Sequence, residues 1–586
     1  MVERLKTDIL ILGGGGAGLF AALHAKKAAP EREVTVAVKG LLGKSGCTRM
    51  VQGGYNAALS PGDTLERHFM DTIVGGCWLS RQDLAWILVQ GAVERIRQLE
   101  NEIGCFFDRN PDGSLHHKAF AGQSFDRTVH KGDLTGIEIV GRLAEQVWAR
   151  HIKRLEEHRA VALIPAASGA GIAGVLTIDM RSGAFRFVQA KAVLLAAGGG
   201  PTMYRYHTPS GEKACDGMAM ALKAGLALRD MEMVQFHPTG LLAGPETRMT
   251  GTVLEEGLRG AGGWLLNGAG ERFMTRSHPH GERATRDIVS RAIFAEMRAG
   301  NTSPLGGVYL EMKHLGPDEV RRRFKGMVAR CADCGFDLAG GRVEVVPSAH
   351  YMMGGVVFEA DCSTAMPGLF LAGEDAGGVH GANRLGGNGV ANSTVFGGIA
   401  GDAMAAFVAQ DDRFRDPDEG LIETEVARCR RPLGRARGNL NALREHLWQV
   451  MWDDVGIIRN DEGLRRALDR LEDLSAELQE SGIPESGTAF NLTWHDWLNL
   501  ESQILVSEAI ARAALARQES RGAHTREDFP ETGDLQDSAY TVVRQVDSGL
   551  EITRAPVDFS IVRPGQSLIE GAAGAPPVAA QGGSQS

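Results

Sequence analysis

A small set of charged side chains lies among glycines and apolar residues in two stretches of the 586-residue sequence, residues 231–286 and residues 345–390. The set consists of His237, Glu255, Glu256, Arg259, Arg286, His350 and Arg384. Guanidinium groups and imidazoles make charge-assisted hydrogen bonds to carboxylates, so the cations of this set could hold both ends of a dicarboxylate. Each residue alone also fits an ordinary polar side chain in a turn. Together they predict a cleft that binds a small anion and moves a proton.

Length and composition indicate a large globular protein. The chain exceeds what one core usually accommodates, so we expect two to four domains. Its 76 glycines, with 43% hydrophobic and 6% aromatic residues, favour tight turns and close approach of backbone to ligand over disorder. The formal net charge of -10 is mild for this length and gives no electrostatic support to nucleic-acid binding.

The eight cysteines are scattered, which fits a reducing compartment better than a disulfide framework. Cys331 and Cys334 form one CxxC without a second pair, so we expect ordinary thiols and no metal, with a redox pair as the alternative. Nothing resembles the cysteine runs that hold iron–sulfur clusters. If the protein carries out a redox reaction, any electrons must therefore leave to another molecule. The start lacks a secretory-signal layout, and no apolar stretch reaches the roughly 20 residues that span a bilayer. We expect a soluble, cytoplasmic chain.

The elements that must position these side chains begin with a nucleotide-binding unit. Residues 8–12 predict a strand, residues 19–28 a helix, and residues 34–38 the next strand. The glycines of the intervening GxGxxG are Gly13, Gly15 and Gly18. This order places backbone N–H groups and a helix dipole against a pyrophosphate. The second strand is followed by Lys39 instead of the usual acidic ribose ligand, and the motif alone fits NAD or FAD.

The next segments predict two ligand-facing loops, a long helix and a further strand of the sheet. Residues 44–59 suit a loop along a flavin ring, and residues 119–136 suit another ligand-facing loop. Apolar spacing of three and four predicts a long helix over residues 137–158. Residues 192–200 predict a strand that ends at the cofactor.

The later part of the sequence is different in character. Residues 402–520 are charge-rich with helical spacing, which predicts a bundle that gives structural support. Two strands that follow predict a hairpin, and the tail, residues 571–586, is expected to be mobile.

A series of motifs resembles the flavoprotein subunit of the succinate dehydrogenase and fumarate reductase family, which includes L-aspartate oxidase. The motifs are GGGGAG, QGG at 52–54, AFAGQS, QFHPTG, EEGLRGAGG, GERFM, RDIVSRAI, AHYMMGG, GLFLAGE, HGANRLGGN and ESRGAHTREDFP. They keep the family order over nearly the whole chain. The resemblance implies an α/β fold, with a Rossmann-like FAD-binding domain, an inserted α+β capping domain, a helical domain and a small C-terminal region. The expected boundaries are 1–245 with 348–405, 246–347, 406–530 and 531–586.

The resemblance also implies an FAD-dependent enzyme that interconverts fumarate and succinate by hydride transfer at the flavin N5. Arg286 matches the proton donor or acceptor at the substrate carbon, and Glu256 and Arg259 match its proton relay. The implied substrate-binding residues are Phe120, His237, Glu255, His350 and Arg384. The implied FAD contacts are Gly13, Gly15, Gly16, Gly18, Lys39, Ser45, Cys47, Thr48, Gln52, Gly53, Gly54, Asp216, Glu374, Arg384 and Asn388.

Three positions depart from the family pattern, of which Ala261, in place of a glutamate found in many relatives, has no obvious consequence. Cys47 stands where many members carry the histidine that attaches the flavin covalently, so we expect dissociable FAD, with a thioether as the alternative. Members without that bond tend to reduce fumarate better than they oxidise succinate. Glu255 stands where a hydroxyl residue usually contacts the substrate, and a carboxylate there would repel a dianion by about 1 kcal/mol or more. We expect Glu255 to point away, to be protonated, or to meet a positive group on the substrate.

The implied partners are an iron–sulfur protein subunit, together with a membrane anchor or a soluble electron carrier that is reached through it. Such an assembly would hold the chain on the cytoplasmic face of the inner membrane, with Arg521 and His524 near the iron–sulfur partner. The alternative enzyme is a soluble L-aspartate oxidase, which the positive-substrate option for Glu255 keeps open. A non-enzymatic scaffold agrees poorly with the nearly complete set of catalytic charges.

Overall fold

The computed structural model describes residues 2–569, so the expected mobile tail lies outside the described residues. The strands are β1 (Glu3–Leu12), β2 (Val34–Val38), β3 (Tyr55–Asn56), β4 (His117–Lys118), β5 (Thr128–Val129), β6 (Lys153–Glu156), β7 (His158–Pro165), β8 (Ile172–Asp179), β9 (Phe185–Leu195), β10 (Leu228–Arg229), β11 (Val234–Leu241), β12 (Trp264–Leu266), β13 (Val308–Glu311), β14 (Arg342–Met352), β15 (Gly355–Val356), β16 (Leu369–Leu371), β17 (Ala539–Val546) and β18 (Gly549–Pro556). The helices are α1 (Gly16–Ala28), α2 (Leu65–Gly75), α3 (Gln82–Gln98), α4 (Thr135–Ala149), α5 (Asp216–Lys223), α6 (Gly257–Gly260), α7 (Met274–Ser277), α8 (Arg286–Arg298), α9 (Pro317–Arg323), α10 (Lys325–Asp333), α11 (Asn388–Gln410), α12 (Glu419–Arg430), α13 (Leu440–Asp453), α14 (Asp461–Glu480) and α15 (Leu492–Ala516).

The main sheet has the strand order β6-β2-β1-β9-β8-β7, with β16 paired to β9. The predicted unit of strand, glycine turn and helix is confirmed as β1, α1 and β2, with β1 parallel to both β2 and β9. Helix α11 packs directly on α1, because a Cβ on Gly397 or Gly401 would come within 2.6 Å or 2.5 Å of an α1 carbonyl oxygen. This contact holds the start of α11 beside the glycine turn.

A second, antiparallel sheet has the order β11-β14-β13-β12. Together with helices α7 to α10 it encloses a separate cluster of buried apolar residues that runs from Leu241 to Val345. Ser290 Oγ on α8 donates to Phe236 O on β11 at 3.2 Å, which ties the helix to the sheet. The boundary expected at 347/348 falls inside β14.

The long helix expected over residues 137–158 is wrong at its C-terminal end. Helix α4 stops at Ala149, and His151 takes a left-handed φ of 53° that turns the chain. Residues 153–156 then form β6, which pairs in parallel with β2 on the edge of the main sheet. Pairing with a strand distant in sequence satisfies the backbone there, and apolar spacing alone carries no signal for such a partner.

The C-terminal part contains the expected helices, α12 to α15, and the expected hairpin, in which β17 pairs with β18. The hairpin extends a sheet of order β15-β10-β17-β18, in which β17 pairs with β10, a strand from the first half of the chain. None of the helices in residues 2–569 is long and apolar enough to cross a membrane.

Arg521 and His524 lie inside this region, with exposures of 2% and 0%. Arg521 donates to Ser538 Oγ at 2.6 Å, and His524 Nδ1 lies 2.8 Å from Arg459 Nη1. In this chain both side chains are buried and bonded to neighbouring residues, and their expected position near an iron–sulfur partner stays a prediction.

Candidate active site

A cavity of about 710 Å³ is lined by the start of α1, loop residues 44–54, the start of α11 and side chains from β11 and β14. It brings together Phe120, His237, Glu255, Glu256, Arg286, His350 and Arg384, which are far apart in sequence. A smaller adjoining cavity of about 70 Å³ is lined by the glycine turn, Lys39 and Asp216. The two cavities share lining residues, so together they form one elongated site.

Arg286 is the first residue of α8 and is 7% exposed. Its Nε donates to Glu256 Oε2 at 2.8 Å, and its Nη2 lies 2.7 Å from the same oxygen. Its Nη1 donates to Gln235 Oε1 at 3.0 Å. A guanidinium carries five N–H groups, so these contacts orient Arg286 and still leave donors for a ligand in the cavity.

Glu256 is fully engaged by protein groups, since its Oε1 also accepts a hydrogen bond from Ala121 N at 3.0 Å. Burial alone would raise the pKa of this carboxyl, but Arg286 and Arg259 outweigh burial and hold the pKa below its ordinary value. The side chain is therefore an ionised carboxylate in direct contact with the guanidinium that faces the cavity.

Arg259 lies behind this pair and does not line the cavity. It is 1% exposed, and its Nη1 donates to Glu282 O at 2.6 Å. Its Nε and Nη2 are buried without a hydrogen-bond partner among residues 2–569, and burial lowers its pKa. Arg259 acts on Glu256 through its charge, and its two free nitrogens face no acceptor of the described chain.

His237 and His350 lie on the neighbouring strands β11 and β14, with ring centroids 5.3 Å apart. His350 Nδ1 lies 2.7 Å from Thr208 Oγ1, and His237 Nδ1 accepts from Thr239 N at 3.3 Å. Burial, followed by the charge of Arg286, lowers the pKa of both imidazoles well below the ordinary value. Lowered pKa values favour neutral imidazoles at neutral pH, in contrast to the expectation that both are cations.

Arg384 is 6% exposed, and its Nε has no hydrogen-bond partner among the described residues. The guanidinium lies 4.3 Å from the centroid of the Tyr351 ring, which is within cation–π range. Burial, followed by the charge of Arg286, lowers its pKa to about 10. A buried arginine without a counterion favours an anion in the cavity beside it.

Gln235 connects two of the cavity-lining arginines, Arg286 and Arg384, and reasoning from the sequence missed it. Its Oε1 accepts from Arg286, and its Nε2 donates to Arg384 O at 2.7 Å. Gln235 precedes His237 by two residues on β11, but a register shift between Gln235 and Phe236 interrupts the alternation there, so the strand pattern gives no signal for its direction.

Guanidinium groups gather at this end of the cavity. Those of Arg259, Arg286 and Arg384 act on the Glu256 carboxylate, while Glu282 also acts on Arg259 and Glu374 on Arg384. Arg286 and Arg384 line the cavity, which suits an anionic ligand.

Glu255 lines the same cavity and is 3% exposed. Lys118 Nζ lies 3.2 Å from its Oε2, a pairing that the sequence did not reveal because Lys118 comes from a distant strand, β4. Burial raises the pKa of Glu255, and Lys118 opposes the rise only in part. The buried carboxyl therefore faces the cavity with one cationic partner.

Phe120 is also buried at the cavity wall, with 6% exposure. A Cβ on Gly53 would come within 2.4 Å of its Cζ, and one on Gly386 within 2.6 Å of its Cδ2. These two glycines leave room for the ring.

The glycine turn at the start of α1 has the form of an anion-binding turn. A Cβ on Gly13 would lie 2.0 Å from Ala196 O, and one on Gly18 would lie 2.1 Å from Gly13 O, so packing requires both glycines. At Gly15 a Cβ would meet one neighbour within 4 Å among the described residues, Thr48 Oγ1 at 3.3 Å. Helix α1 has no N-cap side chain and no acidic residue in its first turn. Gly16 N donates to Thr48 Oγ1 at 3.1 Å, and the other N–H groups of the first turn suit a pyrophosphate.

Lys39 and Asp216 form an ion pair of 2.9 Å in the smaller cavity, and Arg159 Nη2 lies 2.7 Å from the other oxygen of Asp216. Burial, followed by Arg159, lowers the pKa of Lys39 to about 8. Burial opposes ionisation of Asp216, but Arg159 and Lys39 outweigh burial and lower its pKa. Asp216 is thus held as a carboxylate at the far end of the elongated site.

Most of the expected FAD contacts line one of the two cavities: Gly13, Gly15, Gly16, Lys39, Ser45, Cys47, Thr48, Gln52, Gly53, Gly54, Asp216, Glu374 and Arg384. Gly18 and Asn388 do not. Asn388 Oδ1 accepts from Asn56 Nδ2 at 2.7 Å and lies 3.0 Å from His68 Nε2, so this amide serves the protein core. Gln52 Oε1 is buried without a partner among the described residues, and this orphaned acceptor, together with the open glycine turn, fits FAD.

Cys331 is buried and Cys334 half-buried, and both are free thiols. They lie at the end of α10, away from the lining of both cavities. Within residues 2–569 no group of three or more His, Cys, Asp or Glu side chains is arranged to hold a metal ion.

Two family models match this chain. The model of an FAD binding domain matches residues 8–390, and the model of the fumarate reductase flavoprotein C-terminal region matches residues 444–568. Together they cover both the cavity-bearing part and the helical part with its hairpin.

Curated relatives and solved structures agree with these models. The chain is 41% identical to a fumarate reductase (CoM/CoB) subunit of Methanothermobacter marburgensis, over 90% of this chain and 96% of the relative. It is 33% identical to the fumarate reductase flavoprotein subunit of Escherichia coli, over 98% of both. The structure matches a solved E. coli quinol fumarate reductase with a TM-score of 0.90 and 32% identity, covering 96% of this chain and 99% of the other. The chain therefore belongs to the flavoprotein family of fumarate reductases and succinate dehydrogenases, and it is an FAD-dependent oxidoreductase.

Proposed function

We propose that this flavoprotein binds a C4-dicarboxylate and interconverts fumarate and succinate, with Arg286 as the proton donor or acceptor at the substrate carbon. The observation that carries the proposal is the Arg286–Glu256 ion pair of 2.7 Å on the wall of the substrate cavity. FAD, when bound, supplies the hydride chemistry. The chain's own residues bind the diacid, orient it and move the proton.

The charge pattern supports a diacid as the substrate. Arg384 and Arg286 offer unused N–H donors, and the neutral imidazoles of His237 and His350 add one ring N–H donor each. Four donors around one cavity can hold two carboxylates and fix the carbons between them. Phe120, packed against Gly53 and Gly386, would press on the carbon skeleton and limit its orientations.

The proton route would run from Arg286 through Glu256. A guanidinium gives up a proton only when the resulting neutral form is quickly reprotonated, because its free pKa lies far above neutrality. Glu256 contacts two nitrogens of Arg286 and is suited to return that proton. Arg259, with two unpartnered nitrogens behind Glu256, supports a water-linked continuation toward solvent.

The residues that would hold FAD are the glycine turn and first turn of α1 for the pyrophosphate, and the Lys39–Asp216 end for the adenosine part. Dissociable FAD is supported by the state of Cys47. Burial raises the pKa of this thiol to about 12, against a smaller lowering by Lys213. A thiol at neutral pH, instead of a thiolate, is a poor nucleophile for forming a thioether.

Electrons would pass to or from a separate iron–sulfur protein subunit, and through it to a membrane anchor or a soluble carrier. The names of both curated relatives describe one subunit of a larger enzyme, which supports a separate electron-carrying partner. With a membrane anchor the chain would sit peripherally on the cytoplasmic face of the inner membrane. The relatives named above are fumarate reductases, which supports fumarate and succinate over L-aspartate.

The test is turnover by the purified FAD-loaded protein with artificial dyes. We expect fumarate to be reduced by a reduced viologen and succinate to be oxidised with a phenazine dye, with reduction the faster direction. Turnover of L-aspartate without either diacid would establish the oxidase instead. A protein that retains FAD and turns over none of the three would be a scaffold.

A further inference from the structure

We propose that Glu255 takes up one proton from solvent when the dicarboxylate binds and then donates a hydrogen bond to a substrate carboxylate, and that Lys118 sets the pH range in which this happens. The inference rests on the proposed function, since it concerns how the same cavity accepts a diacid. It adds a proton-linked binding step that the Arg286–Glu256 pair does not provide.

The placement of Glu255 is the first argument. Its side chain is 3% exposed and lines the cavity that also contains His237, His350 and Arg384. In the proposed binding mode a dianion held by those groups extends one carboxylate to this buried carboxyl. An ionised carboxylate there would repel the dianion, whereas a protonated one offers an O–H donor.

The second argument is the hydrogen bonding of the two neighbouring glutamates. Glu256 is held by Arg286 on one oxygen and by Ala121 N on the other, so its charged form is well satisfied. For Glu255 the described residues supply a single donor, Lys118 Nζ at 3.2 Å, which itself also donates to Gly132 O at 2.7 Å. A buried carboxylate with one shared donor gains a proton far more readily than its fully bonded neighbour.

The charged groups around Glu255 give the direction of the response. Burial raises its pKa and Asp133 adds to the rise, while Lys118 and Arg330 lower it. The balance is a pKa above the ordinary value in the ligand-free site, and an added dianion moves the pKa further upward. Removing the cation of Lys118 moves it in the same direction.

The consequence is a defined pH dependence of binding. Below the pKa of the ligand-free site Glu255 is already protonated and affinity is high. Between the pKa values of the free and bound sites one proton is taken up, and the dissociation constant rises by up to about tenfold per pH unit. Above the bound-state pKa the affinity is low and constant. His237 and His350, which are neutral in the free site, can add proton uptake of their own, so only a difference between variants isolates Glu255.

The experiment uses the FAD-loaded full chain and malonate, a dicarboxylate that cannot be dehydrogenated. Calorimetric titrations in buffers of different ionisation enthalpy count the protons taken up, and flavin absorbance gives the dissociation constant across pH. We expect Glu255→Gln to take up about one proton fewer than wild type, with a flatter pH profile and tighter binding at high pH. A half-exposed control on α9, away from both cavities, is Glu319→Gln, which should match wild type.

Lys118→Met provides an independent arm, because it leaves Glu255 in place. Its loss of affinity should begin at a higher pH than in wild type. The inference is overturned if Glu255→Gln and wild type take up equal numbers of protons with parallel pH profiles, or if Lys118→Met leaves the profile unmoved. If wild type binds neither malonate nor succinate, the proposed function itself fails, which distinguishes the two failures.

Discussion

Two nitrogens of Arg286 lie within hydrogen-bonding distance of one oxygen of Glu256, Nε at 2.8 Å and Nη2 at 2.7 Å. Both residues are buried, and the carboxyl keeps its charge because cations outweigh the effect of burial on its pKa. This geometry points the remaining N–H groups of Arg286 toward a ligand in the cavity, with an acceptor or donor of protons directly behind it.

Replacing Arg286 should abolish most of the chemistry while leaving the flavin bound. Arg286→Gln removes the proposed proton donor at the substrate carbon, so we expect kcat for fumarate reduction to fall by about 10²–10⁴-fold. Steady-state kinetics with a reduced viologen measures this, and flavin absorbance reports FAD content. Arg283→Gln, an exposed residue on the turn just before α8, should keep wild-type kcat. Equal kcat in the two variants would exclude Arg286 as the proton donor.

Adding a methyl group at Gly386 should disturb the same pair sterically. A Cβ there would lie 2.6 Å from Phe120 Cδ2, 2.9 Å from Glu256 Oε2 and 3.2 Å from Arg286 Nη2. Gly386→Ala should lower kcat by roughly 10–100-fold, because small displacements of catalytic groups are costly. Gly211→Ala, where a Cβ meets nothing within 4 Å, is the matched control. An unchanged kcat in Gly386→Ala would show that the pair tolerates displacement.

Thr208 is a positioning residue, because its hydroxyl lies 2.7 Å from His350 Nδ1. Thr208→Val frees the imidazole to rotate and to change tautomer, so we expect KM for fumarate to rise by about tenfold with kcat nearly unchanged. The exposed α12 residue Thr424 supplies a control, Thr424→Val. A fall in kcat without a change in KM would instead assign Thr208 to the chemical step.

The Asp216 carboxylate should be important for both stability and FAD binding. Asp216→Asn leaves Lys39 and Arg159 without their shared counterion, which for buried pairs costs about 3–5 kcal/mol of unfolding free energy. Because the pKa of Asp216 is lowered in the fold, its stabilisation is present above the ordinary carboxyl pKa and is lost on acidification. Denaturant unfolding at several pH values and FAD titration test this, with exposed Asp473→Asn on α14 as control. Parallel pH profiles for Asp216→Asn and wild type would contradict it.

Acid precipitation tests whether the flavin is covalently bound. With Cys47 a neutral thiol, we expect all yellow colour in the supernatant and a colourless pellet. Cys47→Ser should behave identically and bind FAD with similar affinity. A yellow pellet from wild type and a colourless one from Cys47→Ser would establish a thioether.

Much of this arrangement was predictable from the sequence where the signal is local. The glycine turn could be predicted because strand, GxGxxG and helix are contiguous in the sequence. The family resemblance predicted that His237, Arg286 and Arg384 lie in one site. Contacts between distant segments could not be predicted. Nothing in the sequence links Lys118 to Glu255, or indicates that residues 153–156 leave a helical pattern to pair with β2.

The protonation states of the site residues could not be predicted from the sequence either. The histidines are neutral because they are buried beside guanidinium groups, a property of the assembled cavity. Asn388 lies in a family motif, yet its amide is occupied by Asn56 and His68. Motif matching gives the position of a residue, whereas the direction of its side chain depends on neighbours that only the fold supplies.

Glu255 and Glu256 are adjacent in the chain, but their side chains have different partners. Glu256 is committed to a guanidinium, while its neighbour points to Lys118 and the ligand side of the cavity. A change at position 255 can therefore alter ligand binding while the Arg286–Glu256 ion pair stays in place. Redesign of this enzyme for other diacids has a natural starting place at position 255.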